Sequence, residues 1–438
     1  MYFYGEISAL CPKYIRLRRK IFAFGNFTIN TSFKKVRFMI ELLSPAGDFE
    51  CLEAAVGFGC DAVYLGGKGY GMRAASKNFD FDLLKKAVEF AHNKGVKVYI
   101  TVNTLPDNNE IDAFPDFIKN AAAAGVDAAI ICDLGVMALT KKYAPSLEIH
   151  MSTQFGIVNY ASAVELYNMG AKRVVLAREV GLEEIKVIRD KIPSDMEIEV
   201  FVHGAMCVSF SGRCLLSAYM TGRNANKGEC AQPCRWKYSL MEEKRPGEYF
   251  PIFEEDEGSY ILNAKDLCMI EHLDKLIDAG VSSFKIEGRA KSAYYVATVT
   301  NAYKAALSLA KEKKPIPDWV KNEVFCVSHR EYCTGFYLGK ENASQIYESS
   351  GYVRNRDFVG IVDGYENGRV LFTQRNYFTL DDELEVLAPG NEPIRFTPGA
   401  MYNSDGQEIR IANKATEKLT AVYEREFPKG SVIRRVVK

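Results

Sequence analysis

The pattern of apolar and polar positions divides the chain into a long repeating part and a shorter, different part. Across residues 40–309, short β-rich runs alternate with helical patterns about 15 residues long, which is typical of βα units around a parallel sheet. Eight such units in about 270 residues favour a closed, TIM-like (β/α)8 barrel, because a doubly wound sheet more often has about five to seven strands. The predicted strands are 41–44, 62–65, 97–102, 128–132, 148–153, 173–177, 197–202 and 283–287.

Polar side chains recur on one face of the predicted strands. In the seventh strand Glu199 and His203 alternate with apolar residues, and in the eighth strand Lys285, Glu287 and Arg289 do the same. The strand face that contacts the helices of a barrel must be apolar, so the polar face is expected to line the lumen. Because buried charge is costly unless it is paired, the pattern predicts a substrate pocket. A self-satisfied ion-pair network, such as Glu199 with Lys285, is the alternative.

Catalytic groups in this architecture gather at the C-terminal ends of the strands. We therefore predict Glu199, His203, Glu287 and Arg289 as catalytic residues. Arg289 lies nearest the strand end and is always charged, so it is the best candidate to hold a carboxylate or a phosphate. The glycine-rich run at 66–71 follows the second strand and suits the same role, although a flexible loop is an equal alternative.

The remaining parts of the chain differ in pattern from the barrel. Residues 311–350 read as a charged, proline-containing linker and a connecting segment, and residues 351–438 as short alternating strands separated by turns. We therefore predict a barrel at 39–310, with a cysteine-rich insertion at 204–268, followed by a small, β-barrel-like domain at 351–438. Residues 1–38 carry eight basic residues and one acid, a net charge of +7. We expect this basic extension to lie outside the fold, as a mis-assigned start before Met39 or as a targeting segment.

Charge and composition narrow the classes of function. The net charge of the whole chain is zero, so the residues after 38 carry −7 and offer no general basic surface for nucleic acid. Any RNA contact is expected from a local patch. No run approaches the roughly 18 apolar residues that span a bilayer, so no membrane association is expected. Eleven cysteines in a long chain indicate reduced thiols and a cytoplasmic protein.

Five cysteines lie within 62 residues of the predicted insertion, from 207 to 268: Cys207, Cys214, Cys230, Cys234 and Cys268. Their spacing lacks the close pairs of zinc ribbons and the C-x3-C-x2-C of radical-SAM enzymes. Irregularly spaced thiolates on loops suit an iron–sulfur cluster, but another metal and simple buried thiols fit the spacing equally well. A cysteine nucleophile, with Cys207 four residues after His203, is the main alternative without a metal.

The run at 199–217, which contains two of these cysteines, closely resembles the signature of the collagenase-like peptidase family of unknown catalytic type. The stretches at 41–48, 61–67, 227–235 and 284–289 are similar to the same family. Several branches of this family are similar to oxygen-independent hydroxylation factors that carry a [4Fe-4S] cluster and act on tRNA, ribosomal RNA or quinone precursors. The layout of this chain looks most like the branch that forms 5-hydroxyuridine at the tRNA wobble position and depends on prephenate.

This resemblance implies a ligand set for the cluster. By the family pattern the ligands are Cys207, Cys214, Cys230 and Cys268, and Cys234 is close enough in sequence to replace Cys230. We therefore expect a cytoplasmic iron–sulfur enzyme that hydroxylates a tRNA uridine, with prephenate as co-substrate and the β-domain assisting RNA docking. A homologous subunit of the family is a further candidate partner. The alternatives are a peptidase that uses Cys207 or a lumenal carboxylate, and a non-catalytic RNA-binding partner subunit.

Overall fold

The structure is a computed structural model that describes residues 39–72, 77–207, 209, 214, 216–236, 239–241, 247, 249–251, 264–339 and 353–437. The basic extension at 1–38 lies outside these residues. Within the described ranges, no helix is long and apolar enough to cross a membrane.

Eight parallel strands close into a barrel. Neighbouring strands follow the chain order, and the last strand pairs with both the first and the seventh. In the closing registers Ser283 lies opposite Glu41 on one side and Glu199 on the other. The predicted (β/α)8 class is therefore confirmed. The barrel strands are β1 (Glu41–Pro45), β2 (Ala62–Gly66), β3 (Lys97–Val102), β4 (Ala128–Ile131), β5 (Glu148–Met151), β6 (Arg173–Val175), β7 (Glu197–Ala205) and β11 (Ser283–Ile286), with β8 (Ser239–Met241), β9 (Tyr249–Pro251) and β10 (Asp266–Cys268) between the last two.

Helices connect the barrel strands and cover the outside of the barrel. Two of them begin at aspartates that directly follow strands or loops of the C-terminal face: the carboxylate of Asp48 accepts the backbone N–H of Cys51 at 2.9 Å, and Asp80 accepts that of Leu83 at 3.0 Å. Such caps satisfy donors that a helix start leaves unpaired. The helices are α1 (Phe49–Gly57), α2 (Phe81–His92), α3 (Asn108–Ile111), α4 (Phe114–Ala123), α5 (Leu134–Tyr143), α6 (Tyr160–Asn168), α7 (Leu182–Lys191), α8 (Leu216–Thr221), α9 (Leu273–Asp278), α10 (Ala293–Lys311) and α11 (Asp318–Glu323).

A β-bulge interrupts the alternation of β7 near its C-terminal end. The register with β11 runs from Phe201 opposite Lys285 to His203 opposite Ile286, which leaves Val202 as an extra residue. One extra residue moves every later side chain to the other face of the strand. His203 therefore packs against helix α10 instead of pointing into the lumen, and its predicted lumenal position is wrong.

The C-terminal part forms a separate antiparallel β-domain with its own hydrophobic core. Its eight-stranded sheet has the order β17-β16-β22-β13-β14-β21-β18-β19, and β15 pairs with β20. The predicted small all-β domain is thus confirmed as a fold. Its strands are β13 (Arg356–Glu366), β14 (Arg369–Gln374), β15 (Phe378–Thr379), β16 (Leu384–Leu387), β17 (Ile394–Phe396), β18 (Met401–Tyr402), β19 (Glu408–Ile409), β20 (Ile411–Ala412), β21 (Lys418–Val422) and β22 (Val432–Val436).

Buried contacts fix the β-domain against the barrel. The guanidinium of Arg434 pairs with Glu323 of α11 at 2.7 Å and with Glu385 of β16 at 2.8 Å, and Arg434 is almost fully buried. The rings of Tyr294 and Phe358 stack at 5.5 Å between centroids. The segment predicted as a linker supplies α11 and the short strand β12 (Tyr332–Cys333), which extends the barrel sheet by pairing with β10.

Candidate functional site

An ion-pair network occupies the lumen near the start of the strands. Glu199 is fully buried; one carboxylate oxygen lies 2.8 Å from the ammonium of Lys285 and the other 2.9 Å from Arg173. Arg173 also pairs with Glu41 at 2.7 Å. Burial by itself raises the pKa of Glu199, but the charges of Lys285 and Arg173 outweigh it and hold the pKa below its ordinary value. This is the paired network that the sequence left open as an alternative, and it favours a structural role for Glu199.

Arg289 lies at the opposite, C-terminal end of the barrel and is only 3% exposed. Its guanidinium donates to the hydroxyl of Thr101 at 2.5 Å and to the side-chain oxygen of Asn78 at 2.7 Å. Both acceptors are neutral, so these two hydrogen bonds orient the guanidinium without cancelling its charge. The predicted position of Arg289 at the mouth of the barrel therefore agrees with the structure, while its catalytic role stays a prediction.

The glycine-rich loop makes room for this guanidinium. A Cβ atom on Gly66 would lie 2.7 Å from Cζ and 2.8 Å from Nη1 of Arg289, and one on Gly71 would lie 3.3 Å from Nη1. Only glycine therefore permits the guanidinium to lie directly over the end of β2. The glycine run and Arg289, which the sequence presented as separate candidates, form one feature.

Glu287 faces the same end of the barrel and lies beside an arginine that the sequence analysis missed. Its carboxylate is 3.4 Å from Nη2 of Arg178, whose Nη1 donates to the carbonyl of Ala205 at 2.7 Å. The guanidinium of Arg178 also lies 4.0 Å from the centre of the Phe201 ring. Arg178 directly follows the sixth predicted strand, so its position at a strand end was the signal available in the sequence.

His203 lies in a tyrosine cluster outside the lumen. Its Nδ1 is 3.3 Å from the hydroxyl of Tyr303, its Nε2 is 3.5 Å from that of Tyr332, and the Tyr295 ring centre is 6.0 Å away. Burial lowers the pKa of His203 to about 3, so the ring is neutral at pH 7. The structure therefore does not place His203 beside Arg289 and Glu287, and it gives His203 a packing environment.

Three of the four predicted cluster ligands share a local geometry. The sulfurs of Cys207, Cys214 and Cys230 each accept the backbone N–H of the residue two positions later, at 3.3–3.4 Å. Hydrogen bonds to the sulfur are a recognised influence on iron–sulfur ligands. Cys207 and Cys230 are exposed. The donor chemistry of this cysteine loop, defined as residues 207–234, therefore fits a cluster.

Cys268 has a different environment from the three loop thiols. Its sulfur lies 3.7 Å from the hydroxyl of Tyr303, and burial raises its pKa to about 11. It lines a cavity of about 150 Å³ together with Cys333 and His272. In the part of the chain that the structure describes, no three His, Cys, Asp or Glu side chains are spaced to hold a metal ion. The four predicted ligands are thus not gathered around one point, and the ligand set stays a prediction.

An ion pair brings the cysteine loop to the rim of the barrel. The ammonium of Lys227 lies 2.8 Å from Asp107 and 3.0 Å from Glu110, both of which belong to the segment after β3. The carbonyl of Glu110 accepts the hydroxyl of Tyr70, in the glycine-rich loop, at 2.6 Å. The cysteine loop and the Arg289 region are therefore on the same face of the barrel.

Comparisons with known proteins agree with this architecture. The family model for Peptidase family U32 matches residues 47–347, and the model for its C-terminal domain matches residues 354–434. The chain is 37% identical to tRNA hydroxylation protein P of Escherichia coli over 86% of this chain and 92% of that protein. It is 36% identical to a protein named Collagenase of Porphyromonas gingivalis, over 90% and 95% of the two chains.

A third relative matches a smaller part of the chain. The chain is 39% identical to 23S rRNA 5-hydroxycytidine C2501 synthase of Escherichia coli over 63% of this chain and 40% of that protein. The two matched models together cover the barrel after β1 and nearly all of the β-domain. The chain belongs to peptidase family U32.

Proposed function

We propose that this protein hydroxylates a uridine of tRNA to 5-hydroxyuridine at the wobble position. The observation that carries this proposal is the alignment, over nearly the whole chain, with relatives named tRNA hydroxylation protein P from several bacteria. A further relative, named as an rRNA 5-hydroxycytidine synthase, aligns with 63% of the chain and is also named for hydroxylation of an RNA base.

The mouth of the barrel supports a reaction that uses an anionic co-substrate. Arg289 is buried, oriented by Thr101 and Asn78, and backed by Gly66. A pre-oriented guanidinium recognises a carboxylate through two parallel hydrogen bonds. We propose that Arg289 holds a carboxylate of prephenate and that Glu287, beside Arg178, lies at the edge of the same pocket.

We further propose that Cys207, Cys214 and Cys230 of the cysteine loop, with Cys268, hold a [4Fe-4S] cluster. The hydrogen-bonded sulfurs of the three loop residues support this assignment. Such a cluster supplies one-electron transfer when it is bound. The residues described here contribute anion binding at Arg289 and the attachment of the loop to the rim through Lys227.

The relative named Collagenase favours proteolysis as a second candidate function. A cysteine protease needs a base within hydrogen-bonding distance of its nucleophile. His203, the nearest histidine in sequence to Cys207, has both ring nitrogens directed at tyrosine hydroxyls. The geometry therefore supports hydroxylation better than cysteine proteolysis.

The experiment that separates the two functions uses purified protein and cells in parallel. An Escherichia coli strain lacking tRNA hydroxylation protein P is complemented with this chain, and the tRNA nucleosides are measured by mass spectrometry after growth without oxygen. We expect 5-hydroxyuridine to return with the native chain and to fall by at least about tenfold with Arg289→Ala, because the oriented charge is lost. Cleavage of denatured collagen that disappears with Cys207→Ala, without any return of the nucleoside, would instead establish the peptidase.

A further inference from the structure

A cavity lies next to Arg289 on the C-terminal face of the barrel. The cavity has a volume of about 370 Å³ and is lined by Asp48, Glu50, Lys68, Lys77, Asn78 and Asp80, with two apolar neighbours. Asn78 belongs to both sites, because its side-chain oxygen accepts from Arg289. A volume of this size is within the usual range for ligand pockets and suits about one nucleotide.

Among the residues that the structure describes, the two lysines of this cavity each form an ion pair in which the lysine is exposed. Lys68 lies 3.3 Å from Asp80 and Lys77 lies 3.0 Å from Asp48, and the lysine side chains are 69% and 80% exposed. Exposed pairs of this type stabilise a protein by roughly 0–1 kcal/mol. Either ammonium group can therefore turn toward another anion at small cost.

The aspartates have other partners that remain when the lysines turn away. Asp48 caps α1 through Cys51, and Asp80 caps α2 through Leu83, in both cases through a backbone N–H. The capping hydrogen bonds keep each carboxylate at the start of its helix. The lysines are thus exchangeable while the aspartates are fixed, and both lysines line the same cavity.

The β-domain reaches the rim of the same cavity. The guanidinium of Arg375 lies 2.6 Å from the carboxylate of Glu50, the third acid that lines the cavity. This ion pair neutralises the charge of Glu50. The buried ion pair of Arg434 with Glu323 and the stacking of Tyr294 on Phe358 hold the β-domain in this position. Ligand sites are common at such junctions between domains.

We propose that this cavity is a subsite for the backbone of an RNA strand, in which Lys68 and Lys77 together bind one phosphate next to the nucleotide that reaches the Arg289 pocket. This inference rests on the proposed function, since it names where the RNA substrate is held. A phosphodiester matches the site because a single negative charge can lie between two exchangeable ammonium groups. The smaller anionic co-substrate is assigned to Arg289.

The test measures how the affinity for unmodified tRNA depends on salt. For the native full-length chain, the logarithm of the association constant falls linearly with the logarithm of the salt concentration. Loss of one phosphate contact in Lys68→Gln/Lys77→Gln should reduce that slope by about 0.7–1 and weaken binding several-fold at low salt. Lys68→Arg/Lys77→Arg retains the charges and should keep the native slope.

A matched control removes two lysines from the other end of the barrel. Lys94 and Lys97 are exposed and stand at the start of β3, so Lys94→Gln/Lys97→Gln changes the net charge equally without touching the cavity. We expect the control to keep the native slope. Equal slopes for the cavity variant and the native chain, or equal losses in the cavity and control variants, would overturn the proposal.

Two further readouts separate this inference from the proposed function. The first readout is the 5-hydroxyuridine content obtained with each variant. If tRNA binding depends on the two lysines as expected but the native chain never restores 5-hydroxyuridine, only the proposed hydroxylation is contradicted. A native chain that restores the nucleoside with an unchanged slope in the cavity variant contradicts only the subsite. If the lysine substitutions weaken binding of inorganic phosphate but leave tRNA binding unchanged, the cavity serves a free anion and the RNA assignment is wrong.

Discussion

Substitution of Gly66 by alanine tests the link between the glycine-rich loop and Arg289. The new Cβ would lie 2.7 Å from Cζ of Arg289, whereas ordinary contact with a Cβ begins at 3.4 Å, so the guanidinium must retreat by about 0.7 Å. A retreat of that size lengthens the 2.7 Å hydrogen bond to Asn78 to as much as about 3.4 Å, which is beyond good geometry. Gly66 has no positive φ, so backbone strain does not contribute.

The expected cost follows from the hydrogen bonds that are lost. A hydrogen bond to a charged group contributes about 1.5–3 kcal/mol, so loss of the bond from Arg289 to Asn78 should lower the free energy of unfolding by about that amount. The activity should fall further, because a displacement near 1 Å of a positioning group can cost about 100-fold. We expect Gly66→Ala to lose most of the modified uridine while it remains folded.

The assay is a double-mutant cycle with thermal unfolding and nucleoside content as readouts. In the Arg289→Ala background, Gly66→Ala should have little further effect, because the group that it displaces is absent. Gly57→Ala is the matched control: a Cβ there has no atom within 4 Å, and the change should be neutral or slightly stabilising. Additive losses from the two substitutions would refute the proposed contact between Gly66 and Arg289.

Three other predictions follow from the site. Glu199→Gln should lower the free energy of unfolding by about 3–5 kcal/mol, because it leaves Lys285 buried without its carboxylate. The exposed control Glu183→Gln should lower it by under about 1 kcal/mol. Since the folded-state pKa of Glu199 is lowered, the stabilisation by Glu199 is present above the ordinary carboxyl pKa and is lost as the pH falls below it. A stable but inactive Glu199→Gln would show a catalytic role instead. His203→Phe should keep the 5-hydroxyuridine content within a few-fold of native, since the neutral His203 ring packs among tyrosines. Complete loss of 5-hydroxyuridine with a folded variant would contradict this role. Native protein purified without oxygen should contain about four iron atoms per chain, and Cys207→Ser should contain none. The iron content of Cys234→Ser is measured for comparison. Colourless native protein after anaerobic reconstitution would contradict the cluster.

The sequence predicts the parts of the site that depend on strand periodicity. The alternation in the eighth barrel strand gives the position of Arg289 at the C-terminal mouth, and the polar faces correctly indicate a charged lumen. The same counting fails for His203, because the bulge at Val202 adds one residue that no local pattern reveals. Alternation identifies the face of a strand only while the register with its neighbour stays regular.

Contacts between distant parts of the chain account for the features of the site that could not be predicted from the sequence. Asn78 and Thr101 orient Arg289 across about 200 residues of sequence, and the requirement for glycine at Gly66 arises from the guanidinium itself. The loop that contains Arg178 has an ordinary composition, and the contact of Arg178 with Glu287 arises only in the folded structure. Such side chains are brought together by tertiary structure, and neither propensity nor spacing encodes the pairing.

Hydroxylation of a tRNA uridine at the mouth of the barrel is tested by the 5-hydroxyuridine content of tRNA. The tRNA comes from a strain that lacks tRNA hydroxylation protein P, grown without oxygen and complemented with the native chain, Arg289→Ala or the Gly57→Ala control. We predict that the native and control chains restore the nucleoside and that Arg289→Ala, present at equal protein levels, does not. Absence of the nucleoside with a folded, abundant native chain, or full restoration by Arg289→Ala, would contradict it.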